Sequence, residues 1–244
     1  VTIADQDEEG AEKYNVLPTA FPSAINVACT WDTDLMYAYG EGVGKEQKEY
    51  GATIWLAPGM NIVKNPMGAR TFEYYSEDPY LTGIAAANVV SGAQSNHGVG
   101  VTVKHFWANS QEDNRNAENN VISERTAREI YLKGFEIGVE LGKPMCLMTC
   151  YNENNGWPGG DSYDTCTDIA RGEWGFTGYI MTDWGGGQSS PHISMHAGND
   201  MISPGKASSV ITNYLEVRKP EFTEDGYGPI LNFKGFRRSS FQLI

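Results

Sequence analysis

The sequence predicts an α/β fold, a TIM-like (β/α) barrel with room for an incomplete or irregular closure. Three observations carry this expectation. Short apolar, β-branched runs alternate with longer amphipathic stretches; Gly, Pro or Asn marks each junction; and chemically equipped side chains follow the carboxyl end of run after run.

The strand-like runs are residues 1–4, 52–57, 100–103, 145–150 and 179–182. Between them, Thr33 to Tyr50 and Pro79 to Asn96 read as helices. A third helix is expected from Ser123 to Leu141, where Ile130, Tyr131, Gly134, Phe135, Gly138 and Leu141 recur at three and four spacing. Ser123 can cap its start, and Lys143 and Pro144 follow its end. Strands that alternate with helices run parallel, joined by crossovers. Asp5, Pro58 to Asn61, Lys104 with His105, Tyr151 with Asn152, and Asp183 with Trp184 each follow one run. A barrel converges all strand ends on one pocket, whereas an open doubly wound sheet converges only those at its switch point. Five contributors therefore favour the barrel. The expected organisation is a barrel domain over residues 1–206, then an extended excursion and a terminal helix over 207–244 that complete or flank it.

Charge narrows the function. The 244 residues carry 18 Lys+Arg against 31 Asp+Glu, a formal charge of -13, which argues against nucleic acid and against an anionic membrane surface. No run reaches the roughly 18 apolar residues of a membrane span. The opening residues hold Asp5, Asp7, Glu8 and Glu9 with no basic start, so no secretory signal is visible; the compartment stays open, with the cytoplasm favoured over secretion. Four cysteines, Cys29, Cys146, Cys150 and Cys166, lack zinc-ribbon spacing, and Cys146 and Cys150, four apart in an apolar run, read as buried thiols.

Several apparent motifs fail on inspection. In the Gly40 to Glu46 stretch, Glu46 stands where a phosphate loop needs Ser or Thr after Lys45. His192 and His196 have helical spacing for a metal but no accompanying Glu, and read as solvated histidines. No Gly-x-Ser-x-Gly elbow occurs. No metal or cofactor is expected.

Two segments hold more. Lys104 and His105 end a buried strand and are followed by amides and Arg115, a concentration of directional donors that suits sugar hydroxyls or, equally, a charged loop. Asp183 follows another buried strand and precedes Trp184-Gly185, so it either presents a carboxylate beside an aromatic wall or caps the next helix.

Taken together, the chain resembles the barrel domain of glycoside hydrolase family 3, in its β-glucosidase and β-xylosidase branch. The resemblance rests on Thr19-Ala-Phe-Pro-Ser23, Thr30-Trp-Asp-Thr-Asp34, Leu56 to Ile62, Arg70 to Pro79, Lys104 to Arg115, Ser123-Glu-Arg125, Tyr131 to Phe135, Tyr151-Asn152, Asn155-Gly156, Glu173 to Phe176, Thr182-Asp-Trp-Gly185 and Ala197 to Asp200, in one colinear order. It implies a retaining exo-acting β-glycosidase, foremost a β-glucosidase, acting on a β-linked oligosaccharide or aryl glucoside. The alternatives are a β-xylosidase and a noncatalytic carbohydrate-binding domain. By the same resemblance Asp183 is the nucleophile, and nearby cations would favour its ionised form. Asp5, Arg70, Lys104, His105, Arg115 and Tyr151 would hold the sugar hydroxyls, and Trp184 would wall the pocket.

Departures accompany the match. Asp5 is followed by Gln6 instead of an Asp-Gly-Pro-like turn, Ala69-Arg70-Thr71 replaces Gly-Arg-Asn, and the stretch after Trp184 is short. Phe106 to Asn109 stands in place of the Pro-Gly-His-Gly type loop of the branch that cleaves N-acetylhexosamines, which argues against that substrate. The family's acid/base is a Glu on a separate α/β sandwich domain, expected here as a partner. Glu112 and Asp113 are the local candidates, but the family uses their segment for binding.

Overall fold

A computed structural model describes residues 18–186 and 191–204. The expected first strand, Asp5 and the 207–244 excursion lie outside the described residues.

Side-chain caps set the helix starts. Asp32 accepts hydrogen bonds from the Asp34 and Leu35 amides at the head of α1 (Thr33–Glu49), and Asp78 accepts from Leu81 N at α2 (Pro79–Gln94), whose first residue is proline. A short helix, Ala24–Ala28, precedes them. Helices α1 and α2 pack so closely that a Cβ on Gly40 would run into the Val89 carbonyl, and one on Gly92 into the Tyr37 carbonyl. The third expected helix is present but irregular. Ser123 caps Glu124–Thr126, and π-helical turns at Ala127–Tyr131 and Gly138–Gly142 flank α3 (Lys133–Ile137). Lys143 then leaves the helix in the left-handed conformation, at φ 51°.

Four parallel strands form the central sheet in the order β1 (Ile54–Trp55), β2 (Gly100–Phe106), β4 (Cys146–Thr149), β7 (Tyr179–Met181). Each is shorter than its expected run, except β2, which extends through Phe106 and so takes in Lys104 and His105. The order follows the chain without reversal, the progression of a barrel and not of a doubly wound sheet. Among the described residues the sheet is not closed, so the barrel appears as an open arc. A bridge pairs Met181 with Met201, so the chain continues the same parallel progression after β7.

A second, small sheet of β3 (Asn119–Asn120), β5 (Glu153–Asn154) and β6 (Trp157–Pro158) ties the loop after β2 to the loop after β4. Its side chains hold the turn between those loops: Asn152 and Asn154 donate to the Trp107 carbonyl at 3.3 and 2.9 Å, and Asn120 donates to Ala108 O at 3.1 Å. The core between strands and helices is continuous, built on Val101, Val103, Phe106, Leu147 and Ile180 from the sheet and Val89, Val90, Phe135 and Ile169 from the helices. No described helix is long and apolar enough to cross a membrane.

Candidate active site

The carboxyl ends of β2, β4 and β7 bring most of the expected residues into one cup. Lys104 and His105 lie near the carboxyl end of β2; Tyr151 follows β4; Asp183 and Trp184 follow β7; and the loop between β1 and α2 delivers Arg70. The register between β2 and β4 shifts between Lys104 and Phe106, at the point where these side chains leave the strand.

His105 is buried, with its Nε2 3.6 Å from Asp183 Oδ2. Burial, then the positive charges of Arg70, Lys104 and Arg115, push the imidazole well below its ordinary pKa, so it is neutral at physiological pH. Its backbone is clamped on both sides: Asn61 Nδ2 donates to His105 O and His105 N donates to Asn61 Oδ1, each at 2.9 Å. Asp183 accepts from Trp184 N at 2.7 Å, and its side chain is 13% exposed.

The cations do not rest on Asp183. Arg70 donates from Nε and Nη2 to Glu73 at 2.7 and 2.9 Å, and Lys104 Nζ lies 3.0 Å from the same carboxylate. Burial alone would raise the Glu73 carboxyl, but Lys104 and Arg70 outweigh it and hold it below its usual value. Arg115 donates to Glu112 Oε2 at 2.5 Å and stacks over the Tyr151 ring with its guanidinium carbon 4.4 Å from the centroid. Tyr151 donates its hydroxyl to Trp184 O at 2.7 Å; burial, then the charge of Asp183, push its phenol up to about 12. The Trp184 side of the pocket is therefore tied through backbone, and the residue itself is half exposed.

Glu73 is the participant that motif reading missed. It sat inside the quoted Arg70 to Pro79 stretch, and the signal was the three-residue spacing from Arg70, repeated between Glu112 and Arg115. Glu112 also accepts from Asn109 Nδ2 at 3.0 Å and lies 3.8 Å from Arg70 Nη1. This carboxylate is committed to organising cations, which leaves it poorly suited to donate a proton.

Other expectations resolve locally. His192 and His196 lie on the helix Pro191–Ala197 but are half-buried and not solvated; the His196 ring packs 5.6 Å from that of Tyr163, and burial lowers its pKa. Among the described residues, no cluster of three or more His, Cys, Asp or Glu suits a metal. Cys146, Cys150 and Cys166 are buried, and burial pushes the thiols of Cys150 and Cys166 to about 12, so neither is a thiolate nucleophile.

The chain is similar in sequence and fold to known proteins. Residues 1–209 match the family described as "Glycosyl hydrolase family 3 N terminal domain". Beta-glucosidase A of Butyrivibrio fibrisolvens is 44% identical over 191 residues, 78% of this chain and 23% of that protein. An exo-alpha-(1->6)-L-arabinopyranosidase of Bifidobacterium breve is 40% identical over 190 residues, 78% of this chain and 25% of its own length. The structure of beta-glucosidase 3B from Thermotoga neapolitana in complex with alpha-D-glucose superposes with a TM-score of 0.78 at 45% identity, covering 82% of this chain and 28% of that one. The chain thus spans about a quarter of the length of these relatives. With a parallel α/β arc, strand-end chemistry and this extent of match, the chain belongs to glycosyl hydrolase family 3 and corresponds to the family's N-terminal domain.

Proposed function

We propose that this domain carries the sugar-binding half and the nucleophile of a retaining, exo-acting β-glycosidase, foremost a β-glucosidase. The observation that carries the reading is Asp183 at the end of β7, within 3.6 Å of a neutral His105 and beside a cup that includes Lys104, Arg70, Arg115 and Tyr151. In the first step an Asp183 oxygen attacks the anomeric carbon, the bond to the leaving oxygen breaks, and a covalent glycosyl-enzyme forms. Water then attacks the same carbon and releases Asp183, so two inversions give net retention.

Lys104, Arg70, Arg115, His105 and Tyr151 supply the donors and acceptors for the hydroxyls of the nonreducing terminal sugar, and Trp184 lies at the rim. The proton for the leaving group comes from a Glu on a partner α/β sandwich domain. Glu112 is already occupied by Arg115 and Asn109, in keeping with a donor located elsewhere. Asp5 remains a proposed ligand from outside the described residues.

A pentopyranoside substrate is the second reading. It is favoured by the 40% identity to a protein named for L-arabinopyranoside cleavage, a sugar that lacks the hydroxymethyl group of glucose, as xylose does.

The test uses dinitrophenyl glucoside and xyloside, whose leaving groups need no protonation. Asp183→Ala should abolish release, and added azide should restore it with formation of the inverted glycosyl azide. Full activity in the variant removes the nucleophile assignment. A 2-deoxy-2-fluoroglucoside should label Asp183 covalently in the wild type; reversible binding alone would identify a sugar receptor.

A further inference from the structure

We propose that Tyr74 and Asn109 are positioning residues that fix the tautomer of His105, so that its imidazole presents a neutral Nε2–H toward Asp183 and the sugar bound beside it. What His105 touches rests on the glycosidase reading above; the tautomer does not.

The direction of each hydrogen bond is forced from the charged end of the chain. Glu112, ion-paired to Arg115, can only accept, so the Asn109 atom 3.0 Å from it is the amide nitrogen. That same nitrogen lies 3.1 Å from Tyr74 Oη and donates to it. Burial keeps the Tyr74 phenol protonated far above its ordinary range, so its own proton needs an acceptor. His105 Nδ1, 3.4 Å away, is the acceptor at hand. A histidine that accepts at Nδ1 and is neutral carries its proton on Nε2, the nitrogen 3.6 Å from Asp183 Oδ2.

The opposite tautomer fails at both ends. Nδ1–H would point a second donor at Tyr74 Oη and leave the phenol proton without a partner among residues only 2 to 4% exposed. It would also turn the Nε2 lone pair toward a carboxylate. An imidazolium would satisfy Asp183 but would stand buried among Arg70, Lys104 and Arg115, and it too would meet Tyr74 with a donor. Tyr74 and His105 cross with their ring planes at 76°, so the hydroxyl reaches the imidazole edge and not its face.

Protein labelled with 15N-histidine tests this directly through long-range proton–nitrogen correlations, since the chain holds four histidines and His105→Gln identifies the signal. The expected wild-type pattern at neutral pH is Nε2–H. In Tyr74→Phe, which keeps the ring, the pattern should shift to Nδ1–H or a mixture, and kcat/KM for the dinitrophenyl glucoside should fall about tenfold. Asn109→Ala should move the tautomer the same way. An Nδ1–H or charged imidazole in the wild type overturns the proposal, as does an unchanged tautomer in folded Tyr74→Phe. If that variant does not fold, the wild-type spectrum still decides. A wild-type Nε2–H signal in a protein that neither hydrolyses nor is labelled by glucosides would overturn the glycosidase reading and leave the tautomer assignment standing.

Discussion

His105 Nε2 stands 3.6 Å from Asp183 Oδ2, although β4 lies between the strands that deliver them. The approach is a product of the parallel sheet: His105 near the end of β2 and Asp183 just past β7 meet over the same rim, while neighbours such as Val103 and Ile180 are packed into the core. Because the imidazole is neutral, it offers Asp183 a dipole and not a charge. His105→Phe, which retains bulk at this buried position but removes the polar edge 3.6 Å from Asp183, should lower kcat/KM for aryl glucosides about 10- to 100-fold. Steady-state kinetics at saturating and limiting substrate check this.

Glu73 holds Arg70 and Lys104 together. Glu73→Gln should raise KM about 10- to 100-fold, because both cations lose their common anchor, with a smaller change in kcat. The pH dependence has a defined sign. The folded-state pKa of Glu73 is lowered, so its contribution to stability is present above the ordinary carboxylate value and is lost as pH falls through the folded value. Acid unfolding of the wild type should therefore be steeper below about pH 4.3, the ordinary value for Glu, than that of Glu73→Gln.

Asp164 behaves in the opposite way. Burial, then the charge of Asp168, raise its carboxyl to about 6. The folded protein holds this proton more tightly than the unfolded chain, so stability declines as pH rises from the ordinary Asp range through about 6 and stays lower above it. Asp164→Asn should stabilise the protein at pH 7 by about 1 kcal/mol, after allowance for solvent screening, and have little effect below pH 4. Thermal melts at the two pH values distinguish the cases.

Gly92 faces the Tyr37 carbonyl where α1 crosses α2. Gly92→Ala must separate the two helices and should cost about 1–3 kcal/mol in denaturant unfolding, despite the higher helix propensity of alanine. An unchanged midpoint would mean that the helices can shift without loss.

The sequence by itself determined the alternation of strands and helices, the cap at Ser123, and the strand-end position of Lys104, His105, Tyr151 and Asp183. These follow from local rules: apolar periodicity, turn chemistry, and the short distance in the chain between a strand and the residues after it. The π-helical turns at Ala127–Tyr131 and Gly138–Gly142 were not legible, because they reflect how one helix seats against its neighbours and not the spacing of its apolar residues. Nor was it legible that Glu73 and Glu112 take the cations while a neutral histidine faces Asp183. Charge counting alone had gathered those cations around Asp183. Only the tertiary structure could divide the charges into pairs, since pairing depends on through-space distances of a few ångströms between separate loops, and the neutrality of His105 depends on burial that no stretch of sequence encodes alone.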